Sequence, residues 1–237
     1  MKITKREILA SITIIAVMFL IGNLISGKIE SSQIEKNSEY YQAVKITDSE
    51  MFQYGMNTDL GNAFVYGELQ ALDPVTYPEI GGSYLCVEKV EEHYNMHTRT
   101  VTYTDSKGKT QTRTETYWSW DYAGSENVHS KKIRFCGIEM DANKIRDPPK
   151  DYIDTINESG FVRFVYYGCE ADYTGTVYTN LRDGAMSDES AFYVNQTIDE
   201  TVDYLTHTFT WVFWIIWILI TGGAVFGFYY FDNTWLE

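Results

Sequence analysis

The chain has 237 residues and a formal charge of −14, from 33 acidic against 19 basic side chains. Lys2, Lys5 and Arg6 near the start balance Glu7, Asp232 and Glu237, so the whole deficit falls on residues 28–208. An acidic surface of this kind repels phosphate backbones and anionic headgroups, which excludes nucleic acid as a partner held by charge.

The first element is an uncharged run over residues 8–27, bracketed by Glu7 and Lys28. Roughly 20 apolar residues at 1.5 Å each span a bilayer core. The run is long for a signal-peptide core and lacks an Ala-x-Ala site, so it reads as an uncleaved anchor. Residues 28–42 are polar and prolong this helix as a short stalk.

Gly, Asn and Asp then punctuate runs rich in Val, Tyr, Phe and Thr, the pattern of strands and turns. Strands are predicted over residues 63–72, 83–94, 98–104, 110–120, 132–140, 161–169 and 174–181. Helix is predicted over residues 149–156 and again from Thr197, where Glu200 three residues on completes a capping box. Ile198, Val202 and Leu205 share one face of that helix, which is expected to run unbroken into the second apolar segment.

The clearest supersecondary unit is the hairpin formed by residues 98–104 and 110–116 about the turn 105–109. Threonine at every second position lines one of its faces. Neither face is apolar enough for a core, so the hairpin is expected to project into solvent and to offer strand edges to a partner. The run Tyr117, Trp118, Trp120 and Tyr122 follows it. Alternating rings on one strand face are expected to fill the core, and become an interface if they prove exposed.

Chemistry is sparse. The three cysteines, Cys86, Cys136 and Cys169, have no C-x-x-C or other close metal spacing. They leave open three buried thiols or one disulfide with a spare thiol. His93 and His97 would share a helix face, but on a strand they stand roughly 13 Å apart, too far for one ion. No nucleophile elbow, phosphate loop or dinucleotide turn occurs, and no catalytic residue, cofactor or metal is assigned. An enzyme would need distant groups to converge on a pocket, such as His129 with a carboxylate or a cysteine.

The second apolar segment, residues 209–231, carries Trp211, Trp214 and Trp217 at one end and Phe228 to Phe231 at the other, as membrane interfaces favour. Neither span contains a charged residue, which argues against an ion or proton path. Gly22 with Ser26, and Gly223 with Gly227, have the spacing that lets helix backbones approach. The basic cluster before the first span places residues 1–7 in the cytoplasm, residues 28–208 outside it, and the tail 232–237 back inside by parity.

Several segments, in order, resemble the LUMA family, known as transmembrane protein 43. They are Gly67-Glu-Leu with Asp73-Pro74, the strand Leu85 to Tyr94, the threonine-rich hairpin leading to Trp118-Ser119-Trp120 and Ser130, and residues 175–184 before the acidic helix at Asp199-Glu200. Together they cover about half the chain. The resemblance implies a membrane protein with a non-enzymatic role, animal members being linked to organisation of the inner nuclear membrane and to binding other membrane proteins. This chain departs from the family in its shortness and its single C-terminal span.

The expected architecture is therefore a mainly β (α+β) domain flanked by one N-terminal and one C-terminal transmembrane helix. Its expected role is to present the domain for protein contacts or membrane organisation in the cell membrane. The expected partners are the lipid bilayer and other membrane proteins, or a second copy through the spans, with Tyr117, Trp118, Trp120, Tyr122, Gly223 and Gly227 as candidate interface residues. The alternative is a small oligomeric two-span channel or an auxiliary subunit, for which the second span offers only Thr210 and Thr221 as polar pore groups.

Overall fold

The computed structural model describes residues 5–208 and 210–234. Lys2, Phe209 and residues 235–237 of the expected tail lie outside the described residues. In chain order the elements begin with α1 (Lys5–Lys36), α2 (Ser38–Gln42), β1 (Val44–Ile46), α3 (Ser49–Asn57) and β2 (Gly61–Ala71). There follow β3 (Tyr84–Thr104), β4 (Thr110–His129), β5 (Lys132–Phe135), β6 (Ile138–Asp141), a 3-10 turn (Ala142–Lys144), β7 (Asp151–Asn157) and β8 (Val162–Glu170). The chain closes with β9 (Asp172–Arg182), β10 (Ala185–Met186), β11 (Ala191–Val194), α4 (Ile198–Thr206) and α5 (Thr210–Thr234). Val44–Ile198 forms one compact unit, mainly β, and the two ends of the chain form another.

In the helical unit, α1 and the α4–α5 stretch are long and apolar enough to cross a membrane. The 32 residues of α1 rise about 48 Å, more than the roughly 30 Å of a hydrocarbon core, and the surplus is the polar stalk expected after residue 27. The helices approach at Gly22, where an added Cβ would lie 2.5 Å from Trp217 Nε1. The Trp217 indole N–H donates to the Met18 carbonyl at 2.8 Å, and Phe19 meets Trp214 at 5.9 Å between ring centres. Gly223 and Gly227 have open space within 4 Å, so the close approach of α1 and α5 does not use them. α4 starts at Ile198, directly after the predicted cap, but stops at Thr206. His207 and Thr208 are not helical, which corrects the expected unbroken helix. Threonine propagates a helix poorly, and the Thr206 hydroxyl turns back to the Val202 carbonyl at 2.8 Å.

The β unit holds two sheets. The larger is built on β2 and β9, antiparallel from Gly61–Leu181 to Gln70–Asp172, with β1 and β5 on the far edge of β2 and β10 and β11 on that of β9. Alternate residues Ala63, Val65, Leu69 and Ala71 of β2, with Val177 and Leu181 of β9, form the core face. Phe52 and Met56 of α3 cover it, and Phe135 stands edge-on between Phe52 at 6.0 Å and Phe192 at 6.2 Å. The smaller sheet has the order β4-β3-β8-β7, and its Leu85, Cys86 and Cys169 enter the same core. Gly67 faces the β5–β6 turn so closely that an added Cβ would lie 2.9 Å from Cys136 Cα.

Three local expectations change. Residues 151–156 of the predicted helix 149–156 lie in strand β7 instead, because Tyr152, Thr155 and Ile156 pair along β8 and β-branched and aromatic side chains suit a sheet surface. The predicted strand 132–140 is a tight hairpin: Cys136 and Gly137 both have positive φ, 47° and 80°, the conformation of a two-residue primed turn. Helix α3 had no predicted counterpart, although Asp48 caps it by accepting from the Met51 amide at 2.7 Å. The β4–β5 turn is held by Asp73, which accepts from the Ser130 hydroxyl at 2.6 Å and the Lys132 amide at 2.8 Å. Asp73 and Ser130 thus meet across 57 residues.

Phe135→Ala, which empties a site 0% exposed, is expected to cost about 3–5 kcal/mol in chemical unfolding. Gly67→Ala, which presses on backbone, should cost about 1–3 kcal/mol. The hydrogen bonds to Asp73, the Ser130 hydroxyl foremost, hold its carboxyl down from 3.8 to about 2. Its contribution is therefore present above 3.8 and lost as pH falls towards about 2. Asp73→Asn should flatten the fall of Tm with acidification across that window and leave the neutral and alkaline limb unchanged in shape.

Candidate functional site

β3 is paired with β8 only as far as His93–Val162, but stays on β4 to Thr104–Thr110. Residues 95–104 and 110–119 therefore continue beyond the sheet as a two-stranded arm about 33 Å long. At its root Glu91 faces Gly124 and Glu92 faces Tyr122, leaving Ala123 as a bulge that bends and twists the ribbon. One face carries four cross-strand threonine pairs, Thr98–Thr116, Thr100–Thr114, Thr102–Thr112 and Thr104–Thr110. Arg99, Arg113 and Glu115 line the other, with Glu115 accepting from both guanidinium groups.

Towards the root, the threonine face becomes aromatic through the pairs Met96–Trp118 and Tyr94–Trp120. Tyr94 stacks on Trp118 at 5.4 Å and leans on Trp120 at 5.1 Å. Phe161 closes on Trp118 at 6.4 Å. The Arg163 guanidinium lies over Trp120 at 4.3 Å while its Nε donates to Glu92 at 2.6 Å. Met96, Trp118, Phe161 and Tyr122 remain 59%, 48%, 62% and 68% exposed. Tyr117, on the opposite face, stacks on His97 at 5.3 Å and is also exposed. The rings expected to fill the core are thus a surface cluster, because no third layer covers a two-stranded ribbon. Three of the six candidate interface residues, Trp118, Trp120 and Tyr122, share this face, whereas Tyr117 lies on the opposite face of the ribbon and Gly223 and Gly227 lie on α5.

A second cluster lies at the inner end of the same strands. Cys86 on β3 is the register partner of His129 on β4 and of Cys169 on β8, so the three side chains form one row on one face. The Cys86 and Cys169 sulfurs are 2.8 Å apart, and the Cys169 thiol also reaches the Pro148 carbonyl at 3.3 Å. Asp147 is delivered by the segment that bridges Ile145 to Ser190, and its Oδ1 lies 2.6 Å from His129 Nε2. His129 Nδ1 lies 2.6 Å from the Ser130 carbonyl. Both ring nitrogens face acceptors, so both donate and the ring is an imidazolium. Its pKa is pushed up to about 9, first by the hydrogen bond to Asp147. The hydrogen bond between the two sulfurs draws the Cys86 thiol below its ordinary value and, ahead of burial, drives Cys169 up.

Sulfur, nitrogen and oxygen donors of Cys86, His129 and Asp147 lie within 4.8 Å of one another, a donor set that zinc accepts. With both ring N–H groups engaged, His129 has no lone pair to serve as a base towards Cys86, so the cluster is not arranged as a Cys-His nucleophile pair. An open cavity of about 540 Å³ adjoins it, lined by His129, Asp141, Arg146, Asp147 and Glu189 among others. The convergence of His129 with a carboxylate and a cysteine is thus met, but Asp147 had no sequence signal, since only strand register and a remote bridge bring it there. His93 and His97 bind separate carboxylates, Glu91 and Asp121, both at 2.7 Å.

Comparison with family models, curated proteins and solved structures finds no match to this chain.

Because Trp118 packs on the ribbon and on Phe161 and stays 48% exposed, Trp118→Ala should lower stability by less than about 1 kcal/mol in chemical unfolding, the range of surface changes. A loss as large as that of Phe135→Ala would mark the ring as core instead.

Proposed function

We propose that this chain is an integral membrane protein, anchored by α1 and α5, whose β domain works outside the cytoplasm by binding another protein through its arm. The observation that carries this reading is the exposed cluster of Met96, Trp118, Phe161 and Tyr122 beside an Arg-capped tryptophan. Aromatic residues and arginine supply most of the binding energy at protein interfaces, and a solvated domain otherwise covers rings of this size. Among the described residues the outer edge of β4 is unpaired in the sheet order, and such an edge can accept a partner strand.

Charge narrows the partner. Arg99, Lys107, Lys109 and Arg113 outnumber Asp105 and Glu115 on the arm of a chain that is −14 overall, so the complementary surface is acidic around an apolar recess. The LUMA-like order of segments supports the same non-enzymatic class of role, presentation of a β domain to membrane neighbours. The basic start of the chain and the two apolar helices support cytoplasmic termini in the cell membrane.

Two measurements test this. Protease added to intact cells or spheroplasts should degrade residues 28–208 and spare tags on both termini, while the opposite pattern inverts the topology. A photoreactive phenylalanine analogue at position 118, irradiated in intact membranes, should give a discrete adduct with an acidic protein surface. Lys107→Glu with Lys109→Glu and Arg113→Glu should abolish that adduct. A chain that stays free of adducts, or an adduct indifferent to the charge reversal, would sink the arm as the binding element.

A further inference from the structure

We infer that Cys86 and Cys169 are joined by a disulfide in the mature protein, and that this bond is the resting state of the Cys86–His129–Asp147 cluster. The inference rests on the proposed placement of the β domain outside the cytoplasm, where thiols meet oxidants and disulfides persist.

Register selects this pair among the three pairings open from the sequence. Cys86 and Cys169 are direct cross-strand partners on neighbouring antiparallel strands, so their Cβ atoms stand on one face at the separation a disulfide spans. Their sulfurs are already 2.8 Å apart. Less than about 1 Å of side-chain movement reaches the 2.05 Å bond. Both residues are buried, at 3% and 0% exposure, so a bond formed during folding is afterwards sheltered from reductants. Cys136 lies on the β5–β6 turn of the other sheet and is not part of this row.

The chemistry is thiol–disulfide exchange with an oxidant of the glutathione-disulfide class, before β3 and β8 close over the pair. Cys86 attacks first, as its thiolate, the nucleophilic form of the sulfur. It attacks one sulfur of the oxidant, breaking that S–S bond and releasing one thiolate, which takes up the proton Cys86 has lost. Cys169 then gives up its proton and attacks the Cys86 sulfur. The second oxidant thiolate leaves and is protonated in turn. Two protein thiols are oxidised and one small disulfide becomes two thiols, a balanced two-electron exchange. The new bond spans 83 residues of chain and closes the whole arm into a covalent loop. It also removes the thiolate from the Cys86–His129–Asp147 donor set, leaving only the His129–Asp147 ion pair.

The test uses the full chain isolated from membranes in detergent with a thiol block present throughout. After denaturation without reductant, N-ethylmaleimide should label Cys136 alone, and peptide mapping should show residues 86 and 169 joined. Reduction should lower Tm by about 5–15 °C. Cys86→Ser and Cys169→Ser should each remove that reduction-dependent shift, and Cys136→Ser should keep it. Free Cys86 and Cys169 in isolated protein call for a second arm, in which reduced protein is unfolded and refolded in detergent with glutathione disulfide, so that the sulfurs meet the oxidant before β3 and β8 close. Joining there would uphold the pairing and overturn the placement outside the cytoplasm, whereas no joining would overturn the pairing itself. Isolation with stoichiometric zinc, replaceable by cobalt with a thiolate charge-transfer band lost in Cys86→Ser, would also overturn the inference in favour of a metal site.

Discussion

β3 is paired along its whole length on one edge and along only half of it on the other, and most of what distinguishes this domain depends on that imbalance. From Cys86 to His93 the strand lies between β4 and β8, and its backbone groups are satisfied on both sides. Beyond His93 only β4 continues. A strand in that position has no core to bury against, and its side chains must be chosen for water, for a partner, or for each other. The threonine pairs meet the first need. The tryptophan and tyrosine cluster at the root does not, and that mismatch is the physical basis for reading the arm as a binding element.

The same strand sets the chemistry at its other end. Antiparallel register places opposite residues side by side, so His129, Cys86 and Cys169 become neighbours although 43 and 83 residues separate Cys86 from its two partners. The hydrogen bond between the two sulfurs then sets them apart, lowering the Cys86 thiol and raising that of Cys169. Asp147 and the Ser130 carbonyl hold the imidazolium beside Cys86. The row and the arm are thus two products of one pairing pattern.

The helical unit follows a different logic. α1 and α5 meet through a glycine and a tryptophan, with an indole N–H spent on a backbone carbonyl of the partner helix. In a lipid environment such packing and hydrogen bonding must replace the hydrophobic effect as the force between helices. An added Cβ at either glycine of the α5 pair would meet open space among the described residues, whereas Gly22, which breaks up an otherwise bulky stretch of α1, receives the large ring of Trp217.

By itself, the amino-acid order determined the parts whose cause is local. Two long uncharged apolar runs can only be helices of that length, and alternating threonines between Gly-containing turns can only be a hairpin. The strands 63–72 and 174–181 declare themselves by composition, and they became β2 and β9. Tertiary structure decided whatever depends on which strand lies beside which. It turned residues 151–156, part of a helix signal, into strand β7, because β8 offered an edge, and it split residues 132–140 at a turn that Gly137 permits. It left Trp118 and Tyr122 exposed, since a ring's burial depends on a layer above it that no local pattern records. It also chose Cys169 and not Cys136 as the neighbour of Cys86, because proximity across a sheet is a matter of register, and register is set by the whole sheet at once.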